Sequence, residues 1–322
     1  MGSAYVPGLK VLEQTKLRLE RRLPLKGRVK VKAGERVSHD QIVAETEIPG
    51  RVEMINVAAR LGLEAGEVPA HMLCRVGDYV EKEQSLARSG GFFGFFKEEL
   101  PAPIGGTLES VSEASGQTVL RAPAQTVSVR AYVDGTVSEV LGDEGVIIET
   151  SGALVQGIFG VGGESAGPLH CAVSDPSDTL RPERLLPEYR GGVVVAGSSA
   201  DLPVLRRAVE LGIHGLVAGG IDDETLREFL GYDLGVAITG SEKLGLTLIV
   251  TEGFGPIAMA RRTFDLLKKH EGDLASISGA TQIRAGVIRP EIIIPDSAGC
   301  CGESEAPREL SLIEGASVRL IR

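Results

Sequence analysis

The feature that most constrains this chain is the regular alternation of short aliphatic runs with glycine turns. Between Cys74 and Val111, valine, leucine and isoleucine flank two such turns, one at Gly77-Asp78 and one at Gly105-Gly106. Short apolar runs separated by tight reversals are typical of paired β-strands. We therefore expect this stretch to form a small, closed β unit.

The same order of residues occurs a second time, earlier in the chain. Residues Ala33 to Ala44 align with Val76 to Ala87, and Ile48 to Ile55 align with the segment around Gly105-Gly106. A weaker third copy runs from Tyr132 to Thr150. Repetition of one half-motif indicates an internal duplication, and the pattern predicts a β-rich domain over residues 23–173.

Composition agrees with a β-rich or α/β architecture. The 322 residues include 42 glycines and no tryptophan, and aromatic residues make up only 4%. The cores should therefore consist of valine, isoleucine, leucine and alanine, with many tight turns between the elements. The length allows two or three domains.

One pattern carries a resemblance to a known family. The order V-G-D-x-V, then L-A, then, after an interval, A-P-x-x-G-T-L-x-x-V resembles the biotinyl/lipoyl-like barrel-sandwich hybrid domains, mainly over residues 71–111 and more weakly over 29–57. The resemblance implies a fold more than an activity. In carrier members of that family the modified lysine lies between the half-motifs. Lys97 lies there without the M-K-M or D-K-A context, so covalent lipoate or biotin is not favoured.

The chain is expected to divide into five segments. An N-terminal segment, 1–22, fits neither the helical nor the strand period and is left open, and the β-rich domain follows. Residues 174–191, dense in Pro, Asp, Ser and Gly, are expected to be a linker to an α/β domain at 192–290. The tail, 291–322, begins with a strand at Ile292 to Ile294 and ends like an incomplete SH3-like module.

Strands and helices alternate after the linker. Asp201 and Gly212 are expected to cap one helix, a second should begin near Asp222, and a longer helix is predicted from Pro256 to Gly272. The intervening apolar runs are continuous, which predicts a mostly parallel sheet covered on both faces. The expected fold is thus a barrel-sandwich-hybrid-like β domain followed by an α/β domain.

Ligands bind outside the carboxyl ends of parallel strands. Those ends are rich in glycine and small polar residues, whose backbone N–H groups can approach an anion closely. We refer to these strand ends as the glycine-rich rim. The predicted ligand-binding residues are Gly197, Ser198, Gly219, Gly220, Gly240, Ser241, Lys243, Gly253, Gly255 and Arg284. The alternative is that glycine and serine are there only because tight turns require them.

A dinucleotide site is a further alternative. Gly253-x-Gly255-x-x-Ala258 follows a strand and is predicted to open a helix, as the fingerprint requires. The acidic residue expected after the next strand is missing, since Thr281, Gln282 and Arg284 stand there, and Pro256 removes an N–H from the first turn. The hypothesis that the chain binds NAD or another nucleotide therefore rests on the glycines alone.

Groups suited to catalysis are few. Glu242 and Glu252 follow adjacent predicted strands and are the one acid/base pair that the sequence offers, although loop carboxylates are commonly just solvated. The histidines lack metal-ligand spacing, so no metal site is predicted. Cys300 and Cys301 are interpreted as free thiols with a redox role as the alternative.

Charge and hydropathy limit the partners. The formal net charge is −10, which argues against nucleic acid and anionic membranes, and no apolar run reaches the length of a membrane span. The hypothesis is a cytoplasmic, non-catalytic scaffold or interaction protein. Its β domain would bind a protein partner and its α/β domain a small anionic or nucleotide-like ligand. The rival hypothesis is an enzyme that acts on a phosphorylated or nucleotide-type ligand at the glycine-rich rim.

Overall fold

The computed structural model describes residues 9–89, 98–232, 244–281 and 288–296. These residues form two compact units. The larger unit contains residues 1–22, 29–43 and 130–322, and the smaller unit contains 23–28 and 44–129. The five segments inferred from the sequence stay a prediction.

The described residues contain twenty strands. Those in the first half of the chain are β1 Val11–Arg22, β2 Arg28–Val29, β3 Arg36–Val37, β4 Ile42–Ile48, β5 Val52–Asn56, β6 Tyr79–Val80, β7 Ser85–Arg88, β8 Glu99–Pro101, β9 Gly106–Val111 and β10 Gln117–Arg121. Those in the second half are β11 Gln125–Arg130, β12 Gly135–Val140, β13 Gly145–Gln156, β14 Phe159–Val161, β15 Glu164–Cys171, β16 Val193–Val195, β17 Gly215–Ile221, β18 Thr247–Phe254, β19 Leu274–Ser278 and β20 Glu291–Pro295.

The described helices are short and few. They are α1 Val57–Leu61, α2 Val68–His71, α3 Leu202–Leu211, α4 Asp223–Leu230 and α5 Arg261–Lys269. Two predicted boundaries are confirmed. The Asp201 side chain accepts the N–H of Val204 at the start of α3, and Asp222 is the N-cap of α4.

The prediction that a helix begins at Pro256 is wrong. Helix α5 begins at Arg261 because the five residues before it run across the end of β17 instead of coiling. Gly255 has a φ of +96°, which glycine adopts without strain, and Pro256 has no N–H to donate. The glycines at 253 and 255 therefore do not open a helix, and the context that a dinucleotide fingerprint needs is missing.

Eleven of the described strands form one large, curled, mixed sheet in the larger unit. Strands β15, β16, β17 and β18 are parallel neighbours. The first half of β15 pairs antiparallel with β19, however, and β20, β13, β12, β3 and β1 continue the sheet with antiparallel pairs. A separate, mostly parallel α/β domain is not confirmed. A continuous apolar run indicates that a strand is buried on both faces of the sheet, but it does not indicate whether the neighbouring strands are parallel or antiparallel to it.

The smaller unit contains a four-stranded antiparallel sheet in the order β5-β10-β9-β6 and the pair β7-β8. A third sheet of three strands has the order β11-β4-β2. One face of the four-stranded sheet covers an aliphatic core, to which Ile55, Val80, Leu108 and Leu120 contribute. The other face exposes Val52, Met54 and Tyr79.

Candidate functional site

The glycine-rich rim predicted from the sequence is largely covered by the chain itself. A Cβ atom at Gly219 would lie 2.3 Å from the carbonyl oxygen of Ile257, and one at Gly220 would lie 2.0 Å from that of Gly255. Only glycine allows the segment before α5 to approach β17 so closely. These two glycines therefore have a packing reason for being there.

The other rim residues near β16 contact a second segment. Gly197 lies with its Cα against the carbonyl oxygen of Asp178, since a Cβ there would be 2.4 Å away. The Ser198 N–H donates to that same oxygen at 2.7 Å, and its hydroxyl bonds Asp178 O and Thr179 Oγ1. Residues 175–179 thus cover this part of the rim.

The backbone donors of the rim have partners within the chain. The N–H groups of Gly219, Gly220 and Gly255 donate to the carbonyl oxygens of Gly197, Ser198 and Ile221, each at 2.7 Å. A phosphate cradle needs N–H groups that point at the ligand. The described part of the rim keeps these donors for its own backbone.

Carboxylates already lie at the start of α5. Glu252 is half-buried and accepts the N–H of Ala260, the N-cap residue, at 2.8 Å. Asp175 bonds Arg261 in the first turn, and hydrogen bonds from Ser177 are the main reason that the pKa of Asp175 is lowered. Negative side chains at a helix N-terminus stabilise it, so Glu252 has a structural role.

Five of the twelve predicted site residues lie outside the described residues: Gly240, Ser241, Glu242, Lys243 and Arg284. The same holds for Lys97, for Cys300-Cys301 and for the end of the tail that is interpreted as an incomplete SH3-like module. The ligand site and the Glu242–Glu252 pair therefore stay predictions.

A partly buried ionic cluster lies in the larger unit, and the sequence pattern did not reveal it. The Arg21 guanidinium donates to both carboxylate oxygens of Glu164, at 2.7 and 2.6 Å, and lies 5.3 Å from the centre of the Tyr132 ring. The Tyr132 hydroxyl is buried and has no hydrogen-bond partner among the described residues. Burial, and then the charge of Glu291, raise the pKa of Tyr132 well above its ordinary value.

Glu291 shares this environment because of strand register. Glu164 pairs with Ser278, and Ser278 pairs with Glu291, so the three side chains share one face of the sheet. Burial raises the pKa of the Glu291 carboxyl, the negative charge of Glu164 raises it further, and Arg21 partly opposes both. The cluster fixes the inward face of β1.

The outer face of the four-stranded sheet in the smaller unit exposes apolar side chains. Val52, Arg121, Thr107 and Tyr79 are successive cross-strand partners and share this face. Val52 is 45% exposed, Tyr79 is 59% exposed, and Met54, on the same strand as Val52, is 70% exposed. An exposed apolar patch of this kind is typical of an interaction surface.

The edge of that sheet is also available for pairing. Among the described strands, β5 pairs with β10 alone. Ala122 donates to Arg51 O and Val57 donates to Gly116 O, which fixes the odd-numbered residues of β5 as the ones that bond β10. The N–H and C=O groups of the even-numbered residues, Val52, Met54 and Asn56, therefore point away from β10.

Comparisons with known proteins assign no family. Searches against models of protein families, against curated proteins and against solved structures each found no match. Among the described residues, no group of three or more His, Cys, Asp or Glu side chains could hold a metal ion. No helix in the described part of the chain is long and apolar enough to cross a membrane.

Proposed function

We propose that this chain is a non-catalytic interaction protein and that its smaller unit binds an extended segment of a partner protein along β5. The observation that carries the proposal is the outer edge of β5, which no other described strand covers and which combines outward-pointing backbone groups with the exposed side chains of Val52 and Met54. A cytoplasmic location belongs to the same proposal.

An extended peptide satisfies both features at once. Main-chain hydrogen bonds to Val52 and Met54 would supply affinity that does not depend on sequence, as in other cases of strand addition. Apolar side chains at alternate positions of the peptide would lie on Val52 and Met54, because side chains of paired strands share a face. The expected ligand is therefore a segment with alternating apolar residues.

We also propose that the region around residues 71–111, which resembles the barrel-sandwich hybrid domains, has that fold. In that family the fold is used both as a carrier and as a rigid module without a prosthetic group. An interaction module needs a rigid edge, and the aliphatic core beneath β5 provides one. We also propose that the parallel strands β15 to β18 with their helices serve as the α/β part of the scaffold.

The test starts from selected peptides. Random peptides of about ten residues, long enough to cover a typical strand, are selected by display against the full-length protein. The affinity of a selected peptide is then measured by fluorescence anisotropy. Met54→Pro removes an N–H that makes no bond with β10, so the sheet should persist, since proline is tolerated on an edge. We expect a loss of affinity of roughly tenfold, the worth of one or two hydrogen bonds.

Two further variants keep the result interpretable. Met54→Leu retains both the N–H and the apolar surface, and its affinity should stay close to that of the original protein. Met54→Lys retains the N–H but adds the charge by which natural edges resist pairing, and it should bind weakly. If the proline and lysine variants bind like the original protein, the peptide does not pair with β5 and the proposal fails.

A further inference from the structure

A cleft opens in the larger unit where two strands leave the same edge of β13. Strand β12 pairs with β13 at residues 146–149 of β13, and the last pair is Thr136↔Glu149. Strand β20 pairs with β13 at residues 152–156, and the first pair is Gly152↔Pro295. Thr150 and Ser151 lie between these two stretches and pair with β1 on the other edge. We call the opening at Thr150 and Ser151 the fork cleft.

The fork cleft has a volume of about 1240 Å³, which is ample for a small organic ligand. Strand β1 contributes Lys16 and Arg18 to its lining, and β3 contributes Arg36. The acidic lining residues are Asp134, Glu149 and Asp296. Aliphatic lining is limited to Leu17, Val37, Leu274 and Pro295, and none of the described lining residues is aromatic.

The acidic residues of the cleft have partners. Glu149 lies 3.9 Å from Arg18, which also bonds Glu139 at 2.8 Å. Asp134 accepts the backbone N–H of His39 at 2.7 Å, and Asp296 accepts the side-chain amide of Gln14. Each carboxylate is thus held in place with acceptor capacity left for a ligand hydroxyl.

Two of the three basic residues that line the cleft differ from its acidic residues, which have partners. Lys16 and Arg36 form no ion pair with any described residue, although both line the cleft. A cation without a partner in a cleft is available to a ligand anion, and the guanidinium of Arg36 can bind phosphate or carboxylate through two N–H groups. The hydroxyl groups of Thr136 and Ser151 add neutral donors to the same lining.

We propose that the fork cleft binds a phosphorylated sugar or polyol, with the phosphate on Lys16 and Arg36 and the hydroxyl groups on Asp134 and Asp296. Fixed carboxylates accept hydrogen bonds from hydroxyl groups, and unpaired cations attract the phosphate. A nucleotide base would lack a stacking partner, because the described lining has no aromatic ring. This site is independent of β5, which belongs to the other unit.

The experiment is calorimetric titration of the full-length protein with glucose 6-phosphate, glucose and inorganic phosphate. We expect glucose 6-phosphate to bind roughly tenfold or more tightly than either fragment, because only it engages both halves of the cleft. The double variant Lys16→Gln with Arg36→Gln should bind glucose 6-phosphate about tenfold more weakly than the original protein does.

A matched variant tests whether general positive charge explains the effect. Lys26→Gln with Arg28→Gln also removes one exposed lysine and one exposed arginine, neither of which lines the cleft. It should leave the affinity unchanged. Equal binding by the two double variants, or no saturable heat with any of the three probes, would overturn the site. Glucose or phosphate binding as tightly as glucose 6-phosphate would overturn its assignment to a sugar phosphate.

Discussion

Strands β1 and β5 are both edge strands among the described residues, yet they expose opposite chemistry. The side chains that β1 turns outward are Lys16, Arg18, Glu20 and Arg22. On β5 the corresponding outward positions are Val52 and Met54. Charged side chains prevent an edge from pairing with another chain, whereas apolar ones leave it open. The edge of β1, the longer strand, is thus protected against pairing with another chain, whereas the edge of β5 is not.

The inward faces of the two strands differ as well. Strand β5 turns Ile55 into an aliphatic core. Strand β1 turns the largely buried Arg21 towards the partly exposed carboxylate of Glu164 and towards an aromatic ring. An ion pair fixes geometry but contributes little net stability, while an aliphatic core provides stability without a specific partner. The difference suggests that β1 is held in one position by its ionic anchor and that β5 owes its rigidity to packing.

The largest expected effect concerns this anchor. Arg21→Met leaves Glu164 and Glu291 without the cation that they share. We expect the free energy of unfolding to fall by about 2 kcal/mol, below the full value for a buried pair because Glu164 is partly exposed. Urea denaturation followed by circular dichroism measures the change.

Arg18→Met on the same strand is the control. Arg18 points outward, its side chain is 60% exposed, and it forms ion pairs at the surface. Surface pairs contribute about 0–1 kcal/mol, so its removal should change the stability much less than the removal of Arg21. Equal losses for the two variants would show that the two faces of β1 do not differ in the way described.

A smaller, pH-dependent effect is expected at Glu291. Because its pKa is raised in the folded state, its neutral form is favoured there, and this contribution is present at acidic pH and lost as the pH rises through the raised pKa. Glu291→Gln stays neutral at every pH. The variant should therefore gain stability relative to the original protein as the pH rises, by roughly 2–4 °C in melting temperature at alkaline pH.

Glu149→Gln provides the comparison for that measurement. Its side chain is exposed and lies on the outward face of the same sheet. The melting temperature of the Glu149→Gln variant should equal that of the original protein at each pH. A Glu291→Gln curve that stays parallel to the original over the whole range would contradict the buried environment assigned to Glu291.

The sequence predicted local features better than strand pairing. The glycine turn at Gly77, the caps at Asp201 and Asp222 and the strand at Ile292 to Ile294 are set by neighbouring residues, and the structure has all of them. The direction of strand pairing depends on distant parts of the chain. Half of β15 pairs in parallel and half antiparallel, which no local pattern encodes.

The candidate sites were harder to predict for a related reason. Gly219 and Gly220 look like ligand-binding glycines in the sequence, but in the fold they accommodate the chain's own backbone. The fork cleft depends on where β12 and β20 leave β13, and its lining combines Lys16 and Arg36 with Asp134 and Asp296, which come much later in the sequence. The segment from Ile48 to Ile55 belongs to the duplicated half-motif in the sequence, but only the pairing showed that no described strand other than β10 pairs with it.

The most direct test of strand addition is residue-resolved amide hydrogen exchange, measured by NMR with and without a selected peptide. The odd-numbered amides of β5 already donate to β10 and should change little. The amides of Val52 and Met54 should become protected when the peptide binds, and those of β1 should not change. Unchanged exchange at Val52 and Met54 at saturating peptide would contradict the proposal that β5 accepts a partner strand.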